Sequence, residues 1–332
     1  MEPSLTGETA MRVLFYGVTH EHATGKLATL RRLADDYEVV AVVDDRARRS
    51  PAFHDAENNI DLSGLRVIAE DEAWTIPDVD VGFVETANCD LMEIAGEFIS
   101  RGIPIHCDKP CGEAMEPYRS LVEAARARNL PFQIGYMYRG NPALRWIWKF
   151  VADGGLGDVR FIEADMNHNY QTAGYGEFLS SFKGGIFYNL GCHLVDMVEP
   201  MTSGELKYVD AHLETMRGTV SMRIGETEIL LRTQPCMPGS ILSRRLRIDG
   251  TKGTIDLCPI ERFDGGELKL TITPALAGSG GEMKFGVQTD RYAAQLSDLA
   301  AIVRGDKPND QDYDRDLRVH QLFVDICERK IG

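Results

Sequence analysis

The sequence predicts an α/β protein with a doubly wound parallel sheet, followed by an α+β domain with an open, mostly antiparallel sheet. Short apolar segments alternate with helical patterns as far as Gly135, whereas segments of alternating apolar and polar residues dominate after Val159. The length of 332 residues agrees with two domains. We expect domains at residues 11–135 and 136–332, with the last helices packing back on the first domain.

The first domain begins with a strand–helix–strand unit. Met11–Tyr16 is apolar and ends at Gly17, residues 21–33 have helical spacing, and Tyr37–Val43 is a second apolar strand. Further strands are predicted at 65–69, 79–85, 103–107 and 131–135, and further helices at 91–100 and 113–128. This alternation is typical of a parallel sheet with right-handed crossovers.

The second domain begins with a helix at 142–151 that is rich in large apolar residues. Antiparallel strands with one wet face are then predicted at 159–166, 208–215, 219–224, 228–233, 244–248, 254–257 and 268–272. Helices at 289–303 and 312–329 end the predicted fold.

The composition excludes several partners. A net charge of −15 argues against nucleic acid or an anionic membrane surface, because both require clustered cations. No apolar run approaches the roughly 18 residues of a membrane-spanning helix, and residues 1–10 lack the apolar core of a signal peptide, so we expect a disordered lead. Seven cysteines without paired spacing fit a reducing cytoplasm, and no metal site is expected.

The turn after the first strand occupies the place of the G-x-G-x-x-G fingerprint of dinucleotide-binding, or Rossmann, folds. It reads Gly17-Val18-Thr19-His20-Glu21-His22. Gly17 fits the first glycine, whereas Thr19 and His22 replace the other two. Thr19 can cap the helix, and His20 or His22 can donate to a phosphate; alternatively, both histidines only cap and pack. We expect no metal role for them because no partner ligand is evident.

Polar residues also follow three other predicted strands of the first domain. Asp44 ends the second strand, where a carboxylate receives ribose hydroxyls and repels a 2′-phosphate, so NAD is expected rather than NADP. A solvated turn acid is the alternative. Thr86 and Asn88 end the fourth strand and can line the same crevice. Asp108 and Lys109 end the fifth, and the proline after them disfavours the α region for Lys109.

The second domain carries one polar group within an apolar stretch. If residues 187–198 form a helix, Asn189, His193 and Asp196 lie on one face at positions i, i+4 and i+7. Alternatively, His193 is a core histidine whose hydrogen bonds are satisfied by the protein and which has no functional role.

These two motifs, in this order, resemble the Gfo/Idh/MocA family, which is named from glucose–fructose oxidoreductase, inositol dehydrogenase and a rhizopine-catabolism protein. The resemblance spans roughly residues 11–329. It implies that the family's lysine in Glu-Lys-Pro is Lys109, and that its Asp-x-x-x-His pair is Asn189 and His193. Tyr136 and Arg139 resemble the family's hinge segment, whose side chains often face the substrate.

The resemblance implies an NAD-dependent dehydrogenase acting on a secondary alcohol of a sugar, cyclitol or related polyol. His193 would take the hydroxyl proton, Lys109 would polarise the oxygen, and Asn189 would orient the substrate. Asp108 is expected near the cofactor, and His168 and Asp196 near the substrate. Two alternatives remain: an NAD-dependent glycoside hydrolase, and a non-catalytic regulatory protein that binds a sugar or nucleotide.

We also expect a homodimer or homotetramer that forms through the exposed face of the second sheet. Residues 208–233 carry apolar side chains on both alternations, which is more than one covered face requires.

Overall fold

The computed structural model describes residues 10–48, 59–169, 174–274 and 280–328, so the predicted N-terminal lead lies almost wholly outside the described residues. The described residues form two compact units. The first unit contains the chain up to Gly112, Pro117–Gly135 and Tyr292–Gln311. The second contains Glu113–Glu116, Tyr136–Arg291 and the chain from Asp312 onward.

The first unit is built on a parallel sheet of six strands in the order β3-β2-β1-β4-β5-β6. The strands are β1 (Met11–Tyr16), β2 (Tyr37–Val43), β3 (Val67–Ile68), β4 (Val81–Val84), β5 (Ile105–Cys107) and β6 (Phe132–Ile134). β4, β5 and β6 are buried along their whole length, which explains why their sequences read as apolar runs. The predicted doubly wound parallel sheet is confirmed.

The α-helices of the described residues follow in chain order. They are α1 (Ala23–Arg32), α2 (Leu91–Ser100), α3 (Met115–Ala127), α4 (Pro142–Ala152), α5 (Tyr175–Ser180), α6 (Cys192–Val198), α7 (Ala293–Arg304) and α8 (Tyr313–Glu328). None of them is both long enough and apolar enough to cross a membrane.

The second unit contains a sheet of eight strands in the order β14-β13-β12-β11-β7-β10-β9-β8. The strands are β7 (Val159–Asn167), β8 (Leu206–Glu214), β9 (Arg217–Ile224), β10 (Thr227–Gln234), β11 (Arg245–Gly250), β12 (Gly253–Leu257), β13 (Glu267–Pro274) and β14 (Gly281–Val287). β7 and β10 pair in parallel and all other neighbours are antiparallel, so the predicted mostly antiparallel sheet is confirmed.

Most apolar residues of β8, β9 and β10 lie on one face of this sheet, whereas Leu230, the register partner of Ser221, lies on the other. Val209 and Ile229 are both register partners of Met222, and Leu231 is the partner of Val220, so these side chains share one side. The other face carries ion pairs, such as those of Arg232 with Glu163 and Asp165. The apolar residues therefore follow mainly one alternation, with Leu230 on the other, and the oligomer stays a prediction.

The two C-terminal helices divide between the units. α7 belongs to the first unit and α8 to the second, so the expectation that both would pack on the first domain fails for α8. The reason is the apolar face of α8, where Val319, Phe323 and Ile326 are buried in the second unit. The boundary near Gly135 stays a prediction.

Candidate active site

Gly17 opens the turn between β1 and α1 in a conformation that favours glycine. Its φ is +100°, and a Cβ atom there would lie 2.5 Å from the backbone nitrogen of Thr86. No other residue fits without moving the chain after β4. The sequence retains the first glycine of the fingerprint because the turn packs directly against that neighbouring strand.

Thr19, at the second glycine position, turns its side chain to a carboxylate. Its hydroxyl donates to Asp45 Oδ2 over 2.5 Å, and the backbone nitrogen of Val18 donates to Asp45 Oδ1 over 2.8 Å. Thr19 therefore does not cap α1, whose N-cap position is His22. Burial raises the pKa of Asp45, although the hydroxyl and backbone donors oppose that shift.

Asp44, the predicted ribose ligand, pairs with Arg46 in the turn after β2. The Arg46 Nε donates to Asp44 Oδ1 over 2.8 Å, and its Nη2 contacts the other carboxylate oxygen. This hydrogen-bonded arginine lowers the pKa of Asp44. A cation therefore lies beside the acid from which a preference for NAD is predicted.

Lys109 is fully buried at the carboxyl end of β5. Its Nζ lies 3.5 Å from Glu21 Oε1, and its backbone nitrogen donates to Asp108 Oδ1 over 2.6 Å. Asn88 Nδ2 donates to the Lys109 carbonyl over 3.4 Å and contacts His20 Nε2 at 3.3 Å. Among the predicted residues, Asn88 and Asp108 thus contact the Lys109 segment directly.

Thr86 is buried at the end of β4, but its hydroxyl donates only to the neighbouring Ala87 carbonyl, over 3.4 Å, among its described hydrogen bonds. Thr86 contributes to the site through its backbone, which lies against Gly17.

His20 and His22 lie near Asp108, a third potential metal donor, whereas the sequence indicated no partner ligand for them. One donor atom of each, with one carboxylate oxygen of Asp108, lies within 4.8 Å of the others. The same carboxylate already accepts from Lys26 Nζ over 2.9 Å, and this ammonium repels a further cation. Burial lowers the pKa of His20 to about 4 and also lowers that of His22, so both rings are neutral at pH 7.

In the second unit, Asn189 lies in a π-helical turn, Phe187–Gly191, that runs into α6. The predicted helix at 187–198 is therefore not a regular α-helix over its first turn, and π-turns of this kind occur frequently at functional sites. Asn189 Nδ2 donates to the hydroxyl oxygen of Tyr175 over 2.7 Å. The amide is thus oriented by a tyrosine on α5.

His193 lies on α6 between two tyrosines. Its ring meets that of Tyr138 edge-to-face at 5.1 Å between centroids, and that of Tyr136 at 6.1 Å. Both tyrosines are buried, and burial raises the pKa of each phenol, so neither ionises near neutral pH. His193 and Tyr136, two residues predicted separately for the site, therefore lie close together within the second unit.

Arg139 and Asp196, both predicted to face the substrate, bind one another. Arg139 donates to Asp196 Oδ1 from Nε over 2.9 Å and from Nη2 over 2.7 Å, and its Nη1 lies 2.7 Å from Asp316 Oδ1. Arg315 also donates to the Asp196 carboxylate over 3.2 Å. Asp196 thus has arginine partners and shows no described hydrogen bond to His193 or Asn189.

His168 follows β7 and is half-buried. Its backbone nitrogen donates to the Gln234 carbonyl over 2.9 Å, and its Nδ1 accepts from the Asn169 nitrogen over 2.9 Å. These contacts fix its place beside the end of β10 and do not link it to His193.

Sequence reasoning missed three residues of these sites: Lys26, Asp45 and Tyr175. Lys26 follows His22 by four residues, so helical spacing could have placed both on one face. Asp45 directly follows Asp44 in the sequence, but whether its side chain points into the protein depends on the conformation of the turn. Tyr175 lies on a six-residue helix that is too short for a periodic signal.

Comparison with known proteins gives the same assignment for both units. A model of the oxidoreductase family with an NAD-binding Rossmann fold matches residues 11–136, and a model of the GFO/IDH/MocA C-terminal domain matches residues 144–256. The trans-1,2-dihydrobenzene-1,2-diol dehydrogenase of Oryctolagus cuniculus is 25% identical over 236 residues, covering 68% of this chain and 70% of that protein.

Two further proteins show similarity. The levoglucosan dehydrogenase of Pseudarthrobacter phenanthrenivorans is 26% identical over 144 residues, which cover 42% of this chain and 37% of that protein. A 3-ketoreductase from Actinomadura kijaniata, solved with NADP and TDP-benzene, has a TM-score of 0.77 at 16% identity and covers 96% of this chain and 97% of its own. The two family models together span more than half of the sequence, and the chain belongs to the Gfo/Idh/MocA family of NAD(P)-binding oxidoreductases.

Proposed function

We propose that this protein is a cytoplasmic NAD-dependent dehydrogenase acting on a secondary alcohol of a sugar, a cyclitol or a related polyol. The observation that carries the proposal is Lys109, a fully buried lysine at the carboxyl edge of the parallel sheet, where ligands of such sheets bind. Relatives that are dehydrogenases of a dihydrodiol and of levoglucosan support the class of reaction.

The first unit fits a nicotinamide dinucleotide in two respects. Gly17 allows the turn to pack where a Cβ atom would clash, and Asp44 follows β2, where ribose hydroxyls are received. We assign the cofactor to Gly17, Thr19, His20 and His22 of the first turn, together with Asp44, Thr86, Asn88 and Asp108. A bound nicotinamide would accept the hydride.

NAD is proposed over NADP because the Asp44 carboxylate repels a 2′-phosphate. Arg46 opposes this preference, and the similar 3-ketoreductase was solved with NADP. Calorimetry with both nucleotides tests the choice. Asp44→Ala should weaken NAD binding and improve NADP binding, because it leaves Arg46 free to meet the phosphate. Tighter binding of NADP by the unaltered protein would contradict the proposal.

For the chemistry, we propose that His193 receives the hydroxyl proton and that Lys109 polarises the substrate oxygen. Asn189 cannot accept a proton, so it orients the substrate through its amide, which Tyr175 holds in place.

Steady-state kinetics on single variants test these roles. His193→Ala should lower kcat about 10²–10⁴-fold, Lys109→Ala at least as much, and Asn189→Asp should be tolerated. Matched controls are His212→Ala and Lys207→Ala, since both side chains are exposed in the second unit. Near-normal turnover by both His193→Ala and Lys109→Ala would remove the mechanism.

A non-catalytic binding protein is the second candidate. This candidate is favoured by the turn after β1, where Thr19 donates a hydrogen bond to Asp45. A glycine at this position would let a pyrophosphate approach the backbone more closely. Tight binding of a sugar without net reduction of the nicotinamide would support this candidate over the dehydrogenase.

We also propose that the boundary between the two domains lies near Gly135, and that the protein forms a homodimer or homotetramer. Light scattering at micromolar concentration tests the assembly, and a monomer mass would reject it.

A further inference from the structure

The ammonium of Lys26 is completely buried on α1 and has three acceptors. Its Nζ lies 2.9 Å from Asp108 Oδ2, 3.3 Å from Glu85 Oε1 and 2.5 Å from His106 Nε2. A lysine ammonium has three N–H donors, so each has one partner. The face of the Tyr292 ring lies 5.0 Å away and adds a cation–π contact.

The direction of the Lys26–His106 hydrogen bond follows from the residues behind it. Gln133 Nε2 donates to the Gln295 carbonyl over 2.9 Å, so its Oε1 faces His106 as an acceptor. His106 must therefore carry its proton on Nδ1, which leaves Nε2 to accept from Lys26. Burial first, and the Lys26 charge second, lower the pKa of His106 to about 3.

The pKa values of the two acids around Lys26 are shifted in opposite directions. Burial raises the pKa of Glu85 well above its usual value, and Lys26 only partly opposes this. Burial acts in the same direction on Asp108, but the neighbouring His20, Lys26 and His22 outweigh it and hold its pKa well below the usual range. Asp108 is therefore the acid that pairs as an anion with Lys26, and Glu85 is the acid that holds a proton more readily.

Asp108 connects Lys26 to the residue proposed for catalysis. One oxygen of its carboxylate binds Lys26, and the other accepts from the Lys109 backbone nitrogen over 2.6 Å. His22 Nδ1 lies 3.1 Å from both oxygens. A rotated Asp108 would lose the contact with the Lys109 backbone nitrogen, and a protonated Asp108 would accept that hydrogen bond more weakly.

We propose that Lys26 is a positioning residue: its ammonium holds the Asp108 carboxylate ionised and in place, and Asp108 holds the backbone of Lys109. The inference rests on the proposed function for its effect on turnover, but its structural step does not need any catalysis.

The first experiment measures hydrogen exchange at the Lys109 amide. Lys26→Met keeps the length of the side chain but removes the charge, and it should speed this exchange at least about tenfold because the acceptor is no longer held. Asp108→Asn should have a similar effect. Thr29→Val, on the same helix but outside the Lys26 contacts, is the matched control and should leave the exchange unchanged. Unchanged exchange in Lys26→Met would overturn the proposal.

The second experiment is a double-mutant cycle in steady-state kinetics. Lys26→Met should lower kcat about 10²-fold, as expected for a misplaced catalytic group, while the KM for the alcohol changes less than about threefold. In the presence of Asp108→Asn, the same substitution should have little further effect on kcat, because Lys26 acts through Asp108. Independent, multiplying effects would overturn the proposal.

The outcomes separate this inference from the proposed function. A protein that turns over no alcohol but shows the expected change in Lys109 exchange refutes the dehydrogenase and supports the positioning role. If Lys26→Met does not fold, the double variant Lys26→Met with Asp108→Asn removes both buried charges. It should fold, and its Lys109 amide should exchange as fast as in Asp108→Asn. A double variant in which that exchange is as slow as in the unaltered protein would refute the role.

Discussion

The two units each contain a buried ionic cluster, and the clusters are built differently. The lysine cluster of the first unit consists of Lys26, Glu85, His106 and Asp108, and the arginine cluster of the second consists of Arg139, Asp196, Arg315 and Asp316. One ammonium serves two acids and a neutral histidine in the lysine cluster. In the arginine cluster, two guanidinium groups serve two carboxylates.

This difference decides which cluster can change its charge. A guanidinium does not lose its proton in proteins, and Asp196 and Asp316 hold the pKa of Arg139 well above its already high value. The lysine cluster, in contrast, contains an acid whose pKa is raised and lies beside histidines whose pKa is lowered. We therefore expect the arginine cluster to keep its charge as the pH changes, and the lysine cluster and the histidines beside it to take up protons.

The largest expected effect on stability comes from removing an arginine of the arginine cluster. Arg139→Met leaves Asp316 and part of Asp196 buried without their partner, so the free energy of unfolding should fall by about 3–5 kcal/mol. Arg232→Met is the matched control, because Arg232 pairs with two acids but is 40% exposed, and it should cost at most about 1 kcal/mol. Denaturant unfolding measures both, and equal losses would contradict the comparison.

The second-largest expected effect is a loss of stability at acidic pH. The pKa of His20 is lowered to about 4 in the fold, whereas an unfolded histidine titrates near 6.5. Between these values the unfolded chain binds a proton that the folded chain does not, so stability falls as the pH falls. The loss from His20 should reach about 2 kcal/mol at pH 5.

Unfolding curves at pH 7 and pH 5 measure this loss. His20→Asn should show a smaller loss between these pH values than the unaltered protein. His212→Asn, at an exposed site, is the control and should not change the slope. An unchanged slope in His20→Asn would show that His20 does not contribute to the acid response.

The smallest expected effect concerns the aromatic rings that lie over the cations of Lys26 and Arg315. Lys26 lies 5.0 Å from the centre of the Tyr292 ring, and Arg315 lies 4.7 Å from that of Trp148. Tyr292→Leu should lower the free energy of unfolding by about 1 kcal/mol more than Tyr292→Phe, which keeps the ring face. Equal stabilities of the two variants would show that the ring face adds nothing to the lysine cluster.

Much of the fold could be predicted because strand and helix patterns are local. The bounds of β1, β2 and α2 were predicted residue for residue. β14 was missed because its residues are mostly exposed and carry no apolar alternation. The parallel pairing of β7 with β10 was also missed, since a strand's own sequence does not specify the direction of its neighbour.

The sequence motifs named candidate site residues, but the contacts of those residues could not be predicted. Lys109 and His193 could be chosen from motifs, whereas the pairing of Arg139 with Asp196 joins residues 57 positions apart. Whether a predicted polar residue faces a ligand or another side chain depends on the folded chain. For the same reason the contacts of Lys26 could not be predicted, because its acceptors come from β5 and from residues at the ends of β4 and β5.

The first unit is discontinuous, and this has a consequence for how the protein is made. Gln295 Nε2 donates to the Ile134 carbonyl from 161 residues further along the chain, and the hydroxyl of Tyr37 donates to the Leu296 carbonyl across 259 residues. A nascent chain that has left the ribosome only as far as Gly135 has therefore made all six strands but lacks the helix that supplies these partners. The second sheet is synthesised in between. Although domains commonly fold in order from the N-terminus, the unit that starts first here can be completed only after translation has passed Gln311.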